Sequence, residues 1–412
     1  MLKRITVEQL RQGMYIHELC GSWMDHPFWR GAFLLDDNND LLAIRSTGIK
    51  EVWIDTAKGI DVENGGEIAE DVSAEVEVLL AHADTVGKIA RHIDIAQEAA
   101  QAVKICAKSR QAVTSMFSEA RMGKALDGGE ALLVVEEISA SVMRNPGALI
   151  SLARLKNKDD YTYMHSVAVC ALMVALARQL GLDDAQVRQC GLAGLLHDIG
   201  KMMIPVEILN KPGKLTEAEF NVMKSHPVEG HKLLLAGNDI DDIALDVCLH
   251  HHEKVNGSGY PDRLDQPQIS LYAKMGAVCD VYDAITSNRA YKNGWEPAVS
   301  IQKMAEWSKG HFDPHIFEAF VKSVGIYPVG SLVRLESNHL AVVIEQTEQS
   351  LLTPKVKVFF SIKSNGRIPV EILDLSKPNQ HNKIASRESP EKWDIRDIQE
   401  LWSGIPDTPV MA

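Results

Sequence analysis

The first 65 residues alternate short apolar runs with polar, turn-forming stretches. The apolar runs lie at 32–35, 41–44 and 52–54, and an acidic stretch at 36–40 separates the first two. Runs of three or four apolar residues between turn-forming residues are typical of short strands. We therefore predict a small β-rich module over residues 1–65. It shows no catalytic spacing of residues, so we interpret it as regulatory.

Residues 66–145 follow with helical periodicity and are predicted to form a helical linker region. A long helix is predicted over residues 73–122, where apolar side chains recur at intervals of four and three positions. The recurring positions are Ile89, Ile93, Ala96, Ala100, Val103 and Ala107. Such spacing is found in coiled-coil seams and also in helices that cover a bundle core. Two interpretations stay open: a helix that transmits a signal or forms a dimer interface, and an ordinary bundle helix.

Helical periodicity continues almost without interruption from residue 131 to residue 325. The predicted helices are 130–143, 163–180, 184–197, 217–235, 241–252, 271–287, 298–309 and 314–324. Prolines and glycines such as Pro146 and Gly181 mark the breaks between them. We predict a helical domain over residues 146–325.

Strand-like alternation returns near Val329 and again over residues 356–362. The Ser364–Gly366 stretch is a hairpin-turn signal. A polar tail begins near Ser376 and is expected to lie loosely on the surface, with Trp393 or Trp402 as a candidate anchor. We therefore predict a β-rich C-terminal extension and tail over residues 326–412. The fold class expected for the whole chain is mainly α, a helical bundle with a small β-rich N-terminal module and a short β-rich C-terminal segment.

The composition is that of an ordinary soluble protein, and it argues against several functional classes. Of the 412 residues, 45% are apolar and 24% are charged, and the formal net charge is −13. A negative balance gives no basic field that would attract DNA or RNA. No apolar stretch reaches the ~18 residues that a membrane-spanning helix needs. The six cysteines show no CxxC spacing, so we expect a cytoplasmic protein with reduced thiols.

The candidate chemistry centres on the stretch Gly194–Lys201. Here an apolar run ends in the adjacent pair His197 and Asp198, and Lys201 follows one turn later. Neighbouring helical positions diverge by about 100°, so the two side chains cannot both face one core. A metal accounts for the pair better, because divalent cations accept both imidazole nitrogen and carboxylate oxygen.

Seven of the fifteen histidines lie in one part of the helical domain. They are His165, His197, His226, His231, His250, His251 and His252. Two carboxylates, Asp280 and Asp283, follow shortly after. Clusters of this kind on separate predicted helices indicate a metal site assembled by the fold. The chain shows neither a GxSxG motif nor a Cys–His arrangement suited to nucleophilic catalysis.

The order and spacing of these motifs resemble the HD-GYP branch of the HD-domain metal-dependent phosphohydrolases. The resemblance covers about residues 150–325 and joins HDIGK at 197–201, HHExxxGxGYP at 251–261, DxxDA at 280–284 and the basic stretch 289–292. It implies an α-helical HD-domain bundle that binds two divalent metal ions, with Asp198 bridging them. The implied metal ligands are His165, His197, Asp198, His226, His251, His252 and Asp280.

The resemblance also implies residues for catalysis and substrate binding. It assigns catalysis to Asp198 and Lys201, whose ammonium would reach a phosphate oxygen; the alternative is a lysine favoured at a helix C-terminus. Arg289 and Lys292 match family positions that contact substrate phosphate, or else form a solvated basic patch. Tyr260 either stacks near the nucleotide or packs within its own turn.

The chain departs from the family pattern at three places. Tyr161 stands where members with three metals carry Glu, so we expect two ions rather than three. Asn256 replaces the usual Asp, a mild change because Asn also favours turns. A third histidine, His250, precedes the ligand pair and is interpreted as structural. Glu253 is either a partner that orients a metal ligand or a surface carboxylate. Asp283 supports the metal site or Arg289, or else is a surface carboxylate of its helix.

The function implied by the resemblance is a cyclic di-GMP phosphodiesterase that uses a metal-bridging hydroxide. Its first product would be linear pGpG, with GMP open as a further product. Iron or manganese is the implied metal, and nitrogen-rich ligation would also accept zinc, cobalt or nickel. Two alternatives stay open: a cyclic di-GMP receptor or scaffold with little turnover, and a phosphohydrolase of another nucleotide. Signalling-protein partners and a homodimer are open as well.

Overall fold

A computed structural model describes most of the chain, over residues 1–20, 32–46, 49–62, 66–84, 93–154, 161–211, 213, 215–287, 294–347, 349–378 and 382–406. Within these residues the chain divides into two compact units. One comprises residues 1–79 with 304–309, and the other residues 80–303 with 310–412. The finer domain divisions expected near residues 65, 145 and 325 stay predictions.

An antiparallel sheet forms the body of the first unit. Its strands are β1 (Leu2–Thr6), β2 (Tyr15–Leu19), β3 (Phe33–Leu34), β4 (Glu51–Asp55) and β5 (Glu67–Ile68), in the order β3-β2-β4-β1-β5. Ile16 on β2 pairs with Ile54 on β4, and both are fully buried in the core of this unit. The β-rich character expected of the N-terminal region is confirmed.

One predicted strand of this unit is a helix. The apolar run at 41–44 lies in α1 (Asn38–Arg45), and the Asp37 carboxylate caps its first turn by accepting a backbone N–H at 2.8 Å. Leu41 and Ile44, three positions apart, are the buried members of the run. The strand prediction is wrong because the preceding acidic stretch begins a helix instead of forming a turn.

Helices are the main regular structure of the second unit, and most of α2 belongs to the first unit. From residue 69 onward the helices are α2 (Ala69–His82), α3 (Ile95–Arg121), α4 (Gly128–Arg144), α5 (Pro146–Ala153), α6 (Tyr161–Gln179), α7 (Asp184–Leu196), α8 (Val206–Leu209), α9 (Glu217–Met223), α10 (His226–Leu235), α11 (Asp242–His250), α12 (Leu271–Thr286), α13 (Pro297–His311), α14 (Pro314–Val324) and α15 (Ile398–Ser403).

Helix α6 packs against α3, α4, α5, α7, α12 and α14. Every side chain from Val167 to Ala177 is buried, as expected of a helix that is apolar on all sides. The predicted helical bundle is confirmed. No described helix, α6 included, combines the length and apolar character needed to cross a membrane.

The long helix α3 packs by a different face from the one predicted. The predicted seam positions within α3 are exposed, Val103 by 42%, and Ile89 lies outside the described residues. The buried face instead contains Ala99 and Glu98, whose carboxylate pairs with the Arg144 guanidinium at 2.7 Å. A charged residue at a core position escapes a search for apolar periodicity. The helix covers the bundle core, and a dimer interface stays a prediction.

Two of the predicted helices are divided. Residues 73–122 cover most of α2 and all of α3 as separate helices, and residues 217–235 contain α9 and α10. Pro227 lies in the first turn of α10, where its missing N–H costs no helical hydrogen bond. His226 therefore becomes the first residue of α10. Pro146, predicted as a break, likewise begins α5.

A second antiparallel sheet lies in the C-terminal part of the chain. Its strands are β6 (Leu332–Leu335), β7 (His339–Glu345), β8 (Lys355–Ser361), β9 (Gly366–Asp374) and β10 (Ile384–Arg387), in the order β10-β6-β7-β8-β9. An irregularity between Val358 and Phe360 places Phe359 in the core. The tail includes β10 and α15, so the expectation of a loose segment is wrong. Trp402 is only 2% exposed, as expected of an anchoring residue.

Glycines allow α7 to approach α6 closely. A Cβ on Gly194 would lie 2.9 Å from Val169 O and 3.0 Å from Cys170 Cα, both backbone atoms of α6. A Cβ on Gly191 would lie 2.9 Å from the Val174 side chain. Since α6 carries His165 and α7 leads into the His197–Asp198 pair, this close packing sets the distance between them.

We predict that Gly194→Ala lowers the free energy of unfolding by about 1–3 kcal/mol, because the added methyl forces two packed helices apart. The measurement is the midpoint of urea unfolding. Gly366→Ala is the control, since its Cβ would lie no closer than 3.8 Å to another residue. Equal midpoints for the two variants would contradict the close packing of α6 and α7.

Candidate metal centre

The structure brings together all seven residues predicted as metal ligands. They are His165 on α6, His197 and Asp198 after α7, His226 at the start of α10, His251 and His252 after α11, and Asp280 on α12. Each of these residues is at most 8% exposed. Their potential ligand atoms form two groups, in each of which all atoms lie within 4.8 Å of one another.

The first group is formed by His165, His197 and Asp280. The Nε2 atoms of the two histidines lie 3.3 Å apart. Asp280 Oδ1 lies 2.9 Å from His165 Nε2 and 3.8 Å from His197 Nε2. Two ring nitrogens and a carboxylate oxygen therefore converge on one small volume.

The second group is formed by Asp198, His226, His251 and His252. The Nε2 atoms of His226 and His251 lie 3.4 Å apart. Asp198 Oδ1 lies 3.2 Å from His226 Nε2 and 3.8 Å from His251 Nε2. The arrangement again directs ring nitrogens and a carboxylate oxygen toward one point.

Asp198 faces both groups, one oxygen to each. Oδ1 belongs to the second group, whereas Oδ2 lies 3.4 Å from His165 Nε2 and 3.3 Å from His197 Nε2, in the first. Among the described residues, Oδ1 is buried and makes no hydrogen bond. A buried carboxylate oxygen without a donor is costly unless a cation lies beside it.

The orientation of three imidazoles is set by carbonyl groups at helix ends. His197 Nδ1 lies 2.8 Å from Gly194 O, His226 Nδ1 2.8 Å from Met223 O, and His251 Nδ1 3.0 Å from Val247 O. These carbonyls lie in the last turns of α7, α9 and α11, and Val247 O also accepts the backbone N–H of His251 at 3.0 Å. A carbonyl only accepts, so each Nδ1 carries the proton.

When the proton is on Nδ1, the neutral imidazole presents an Nε2 lone pair. In the second group two such lone pairs, those of His226 and His251, face each other and Asp198 Oδ1. Acceptors that converge in this way repel one another unless a cation lies between them. Five imidazoles and two carboxylates form a donor set that suits first-row divalent cations. The residues present therefore fit metal ions.

The two groups differ in their electrostatics. Burial alone would lower the pKa of His197, but Asp198 and Asp280 outweigh it and raise that pKa to about 10. Burial, reinforced by His197, lowers the pKa of His251 to about 3. Burial also holds the pKa of His252 well below its usual range. The first group thus attracts positive charge, whereas His251 and His252 in the second are neutral imidazoles, the form that binds metals.

Asp283 orients a residue of the first group. Its Oδ2 lies 2.6 Å from His165 Nδ1, and its Oδ1 accepts a hydrogen bond from Ser287 Oγ at 3.2 Å. The side chain is 2% exposed, so the surface-carboxylate alternative is wrong. A carboxylate that accepts the Nδ1 proton fixes the tautomer and makes Nε2 a better ligand.

Two glycines that the sequence interpretation passed over join the HDIGK turn to α10. A Cβ on Gly200 would lie 1.9 Å from His226 O and 2.4 Å from Gly230 N. A Cβ on Gly230 would lie 2.6 Å from the Cys248 sulfur. This backbone contact brings His226 beside Asp198. The only sequence signal was a glycine between the ligand pair and Lys201.

The predicted substrate-binding residues are placed in part. Lys201 forms a salt bridge with Asp198 Oδ2, and 22% of its side chain is exposed. The Tyr260 ring stacks on His252, with centroids 4.7 Å apart and planes at 28°. Arg289 and Lys292 lie outside the residues that the structure describes.

His250 and Glu253 flank the ligand pair without joining either group. His250 Nδ1 lies 2.7 Å from Asp246 Oδ1, and its Nε2 lies 3.1 Å from Asp262 Oδ2. These contacts agree with the structural role expected of His250. Glu253 is 2% exposed, which excludes a surface carboxylate, and it binds backbone N–H groups of the following loop.

Comparisons with known proteins match two successive regions of the chain. Residues 2–131 match a domain of unknown function (DUF3391), and residues 144–316 match an HD domain. The second match includes every residue of the two groups.

The chain is 55% identical over 406 residues to the cyclic di-GMP phosphodiesterase PA4108 of Pseudomonas aeruginosa, across 98% of this chain and 96% of that protein. Two further relatives match over shorter regions. The cyclic di-GMP phosphodiesterase response regulator RpfG of Xanthomonas campestris is 43% identical over 148 residues, which is 36% of this chain and 39% of RpfG. The 3'3'-cGAMP-specific phosphodiesterase 1 of Vibrio cholerae is 34% identical over 169 residues, which is 40% of this chain and 38% of that protein.

We predict that Asp283→Asn lowers the affinity for divalent metal by about 10- to 100-fold, because His165 loses the carboxylate that fixes its tautomer. The measurement is competition for Mn²⁺ against a chelator of known affinity. Asp242→Asn, on the exposed first turn of α11, is the control. Unchanged affinity in Asp283→Asn would show that the contact does not support metal binding.

Proposed function

This chain belongs to the HD-GYP family of HD-domain phosphodiesterases, and on that premise we propose that it hydrolyses cyclic di-GMP. The proposed first product is linear pGpG, and GMP would follow from a second cleavage. The observation that carries the proposal is the pair of buried ligand groups that share Asp198, one oxygen facing each group. The name of the full-length relative, cyclic di-GMP phosphodiesterase, supports the choice of substrate.

The proposed cofactors are two divalent metal ions, one in each group. His165, His197 and Asp280 would hold the first, His226, His251 and His252 the second, and Asp198 would contact both. Iron or manganese is proposed from the family, and the nitrogen-rich donor set would also accept zinc, cobalt or nickel. Tyr161, at the position where Glu would complete a third site, supports two ions rather than three.

Bound metal ions would supply Lewis acidity toward the phosphate and bring the pKa of a water molecule near neutrality. In the reaction, phosphorus gains the oxygen of water, the bond to the ribose 3′ oxygen breaks, and that oxygen leaves with a proton. The protein must hold the phosphate still and balance the negative charge that grows on its oxygens.

Lys201 is the described residue best placed to balance that charge. Its ammonium already lies beside Asp198, and its partial exposure leaves it open to a phosphate oxygen on the solvent side. A charge-assisted hydrogen bond from lysine to phosphate is stronger than one between neutral groups. Tyr260, stacked on His252, is proposed to contact the nucleotide. Phosphate contacts by Arg289 and Lys292 stay predictions from the family pattern.

Two alternatives define what the first experiments must exclude. A relative specific for 3'3'-cGAMP makes another cyclic dinucleotide the competing substrate. A cyclic di-GMP receptor with little turnover would follow if the two groups held metal too weakly. The described groups contain every predicted ligand, which favours the enzyme over the receptor. Signalling-protein partners, a homodimer and a cytoplasmic location stay predictions.

We predict that the metal-loaded protein converts cyclic di-GMP to pGpG, and that Asp198→Ala abolishes both turnover and binding of the two ions, because both groups lose a ligand. The measurement is product separation by chromatography together with metal analysis of the same sample. Asp242→Ala is the control. Removal of metal by a chelator should stop turnover, and Mn²⁺ or Fe²⁺ should restore it.

Faster cleavage of 3'3'-cGAMP than of cyclic di-GMP would overturn the proposed substrate. An intact cyclic di-GMP pool in the presence of fully metal-loaded protein would overturn the proposed activity and favour the receptor.

We predict that Lys201→Met lowers kcat by about 10²–10³-fold, as expected when one donor to a developing negative charge is lost. The metal content should remain that of the wild type, since Lys201 is not a ligand. The measurement is steady-state kinetics on cyclic di-GMP with metal analysis. Lys232→Met, on the exposed face of α10, is the control. A variant that keeps wild-type kcat would remove Lys201 from catalysis.

A further inference from the structure

The loop after the ligand pair carries Tyr260 back onto that pair. The Tyr260 N–H donates to His252 O at 3.2 Å, and the Tyr260 ring stacks on the His252 imidazole. A Cβ on Gly259 would lie 2.4 Å from Glu253 Cα, so the loop lies directly on the backbone that follows the ligands. The position of Tyr260 therefore depends on what holds this loop in place.

Glu253 holds the far side of the loop. Its Oε1 accepts hydrogen bonds from Asp262 N at 2.7 Å and Arg263 N at 2.9 Å, and its Oε2 accepts one from Leu264 N at 3.0 Å. Three consecutive N–H groups that point at one carboxylate form an anion-binding concavity of the protein's own backbone. The glutamate directly follows the ligands His251 and His252, yet it orients the loop and not a ligand.

The backbone conformation shows why the loop needs such an anchor. Arg263 has a φ of 56°, a left-handed conformation that a residue with a side chain rarely adopts. The carboxylate receives N–H groups from this residue and from both of its neighbours. Charge-assisted hydrogen bonds of this kind are stronger than those between neutral groups, and they offset the unfavourable backbone conformation.

Two backbone hydrogen bonds hold the first part of the loop, between Glu253 and Tyr260. Val255 N donates to His311 O at 3.3 Å, and Gly257 N donates to Lys254 O at 2.8 Å. These bonds fix the start of the loop, and Glu253 fixes its end. Tyr260 lies between the two.

We infer that Glu253 is a positioning residue for substrate binding, because its carboxylate holds residues 262–264 and so keeps Tyr260 over His252 at the edge of the second ligand group. The inference rests on the proposed function and names a residue that acts on the substrate through Tyr260. The end of α11 then serves two purposes. His251 and His252 provide ligand atoms, and Glu253 shapes the wall beside them.

This role predicts a specific kinetic effect. If the loop is held in place for only a fraction of the time, the apparent dissociation constant of the substrate rises by the inverse of that fraction. Bound substrate restores the contact with Tyr260, so the step that follows binding is little affected. Loss of the anchor should therefore raise KM and leave kcat and metal content unchanged.

The test is Glu253→Gln in the full-length, metal-loaded protein, with cyclic di-GMP as the substrate. The amide replaces one acceptor oxygen by a donor, so at least one of the three backbone N–H groups loses its partner. We expect KM to rise about tenfold, equivalent to the loss of one charged hydrogen bond, with kcat within about twofold of wild type. Glu217→Gln, on the exposed first turn of α9, is the matched control.

Two further measurements separate positioning from a general structural effect. In a Tyr260→Ala background, Glu253→Gln should raise KM no further, since a residue that acts through Tyr260 has nothing left to position. Amide hydrogen exchange of a peptide covering residues 257–266 should be faster in Glu253→Gln than in wild type. Glu253→Asp keeps the charge and should give an intermediate KM, and it serves as the test variant if the glutamine variant does not fold.

Several results would overturn the inference. One is the same fold-rise in KM in the Tyr260→Ala background as in wild type. A second is an unchanged KM despite faster amide exchange, and a third is an unchanged rate of amide exchange. A fall in metal content would instead place Glu253 among the supports of the metal ligands. Wild-type protein that fails to cleave cyclic di-GMP would overturn the proposed function itself, whereas a failure of positioning alone leaves wild-type turnover intact.

Discussion

Two buried carboxylates, those of Asp198 and Asp280, can remain among five imidazoles only if positive charge accompanies them. Taking such groups out of water is expensive, and an unpaired buried carboxylate is among the least stable features a protein can have. Lys201 and protonated histidines supply part of the charge, but Asp198 Oδ1 makes no hydrogen bond among the described residues. This requirement for positive charge supports the proposal that the cluster binds metal ions.

Backbone carbonyls at helix ends orient three of the candidate ligands. His197, His226 and His251 each lie three or four residues after a carbonyl in the last turn of a helix, and each contacts it through Nδ1. A backbone carbonyl at a helix end thus accepts the Nδ1 proton and directs the opposite ring nitrogen toward the other members of its group. Close backbone packing at Gly194 and Gly200 then brings the helix ends within reach of one another.

The candidate ligands could be recognised from the sequence because metal binding requires particular side chains and because their order and spacing resemble the HD-GYP pattern. It could not reveal the contacts that depend on main-chain geometry. Gly200 is required because a Cβ at this position would clash with the backbone of α10. Glu253 acts through three backbone N–H groups, and their direction depends on the left-handed conformation of Arg263. The error in α3 had a related cause, since the buried Glu98 breaks the apolar pattern and is recognisable as core only beside Arg144.

The most direct test of the account is a crystal structure of the metal-loaded protein, with anomalous scattering recorded at the absorption edge of the bound metal. We predict two peaks, one beside Asp198 Oδ2 among His165, His197 and Asp280, and one beside Asp198 Oδ1 among the histidines of the second group. A single peak, a third peak, or peaks that Asp198 does not touch would contradict a centre built from two groups that share this carboxylate.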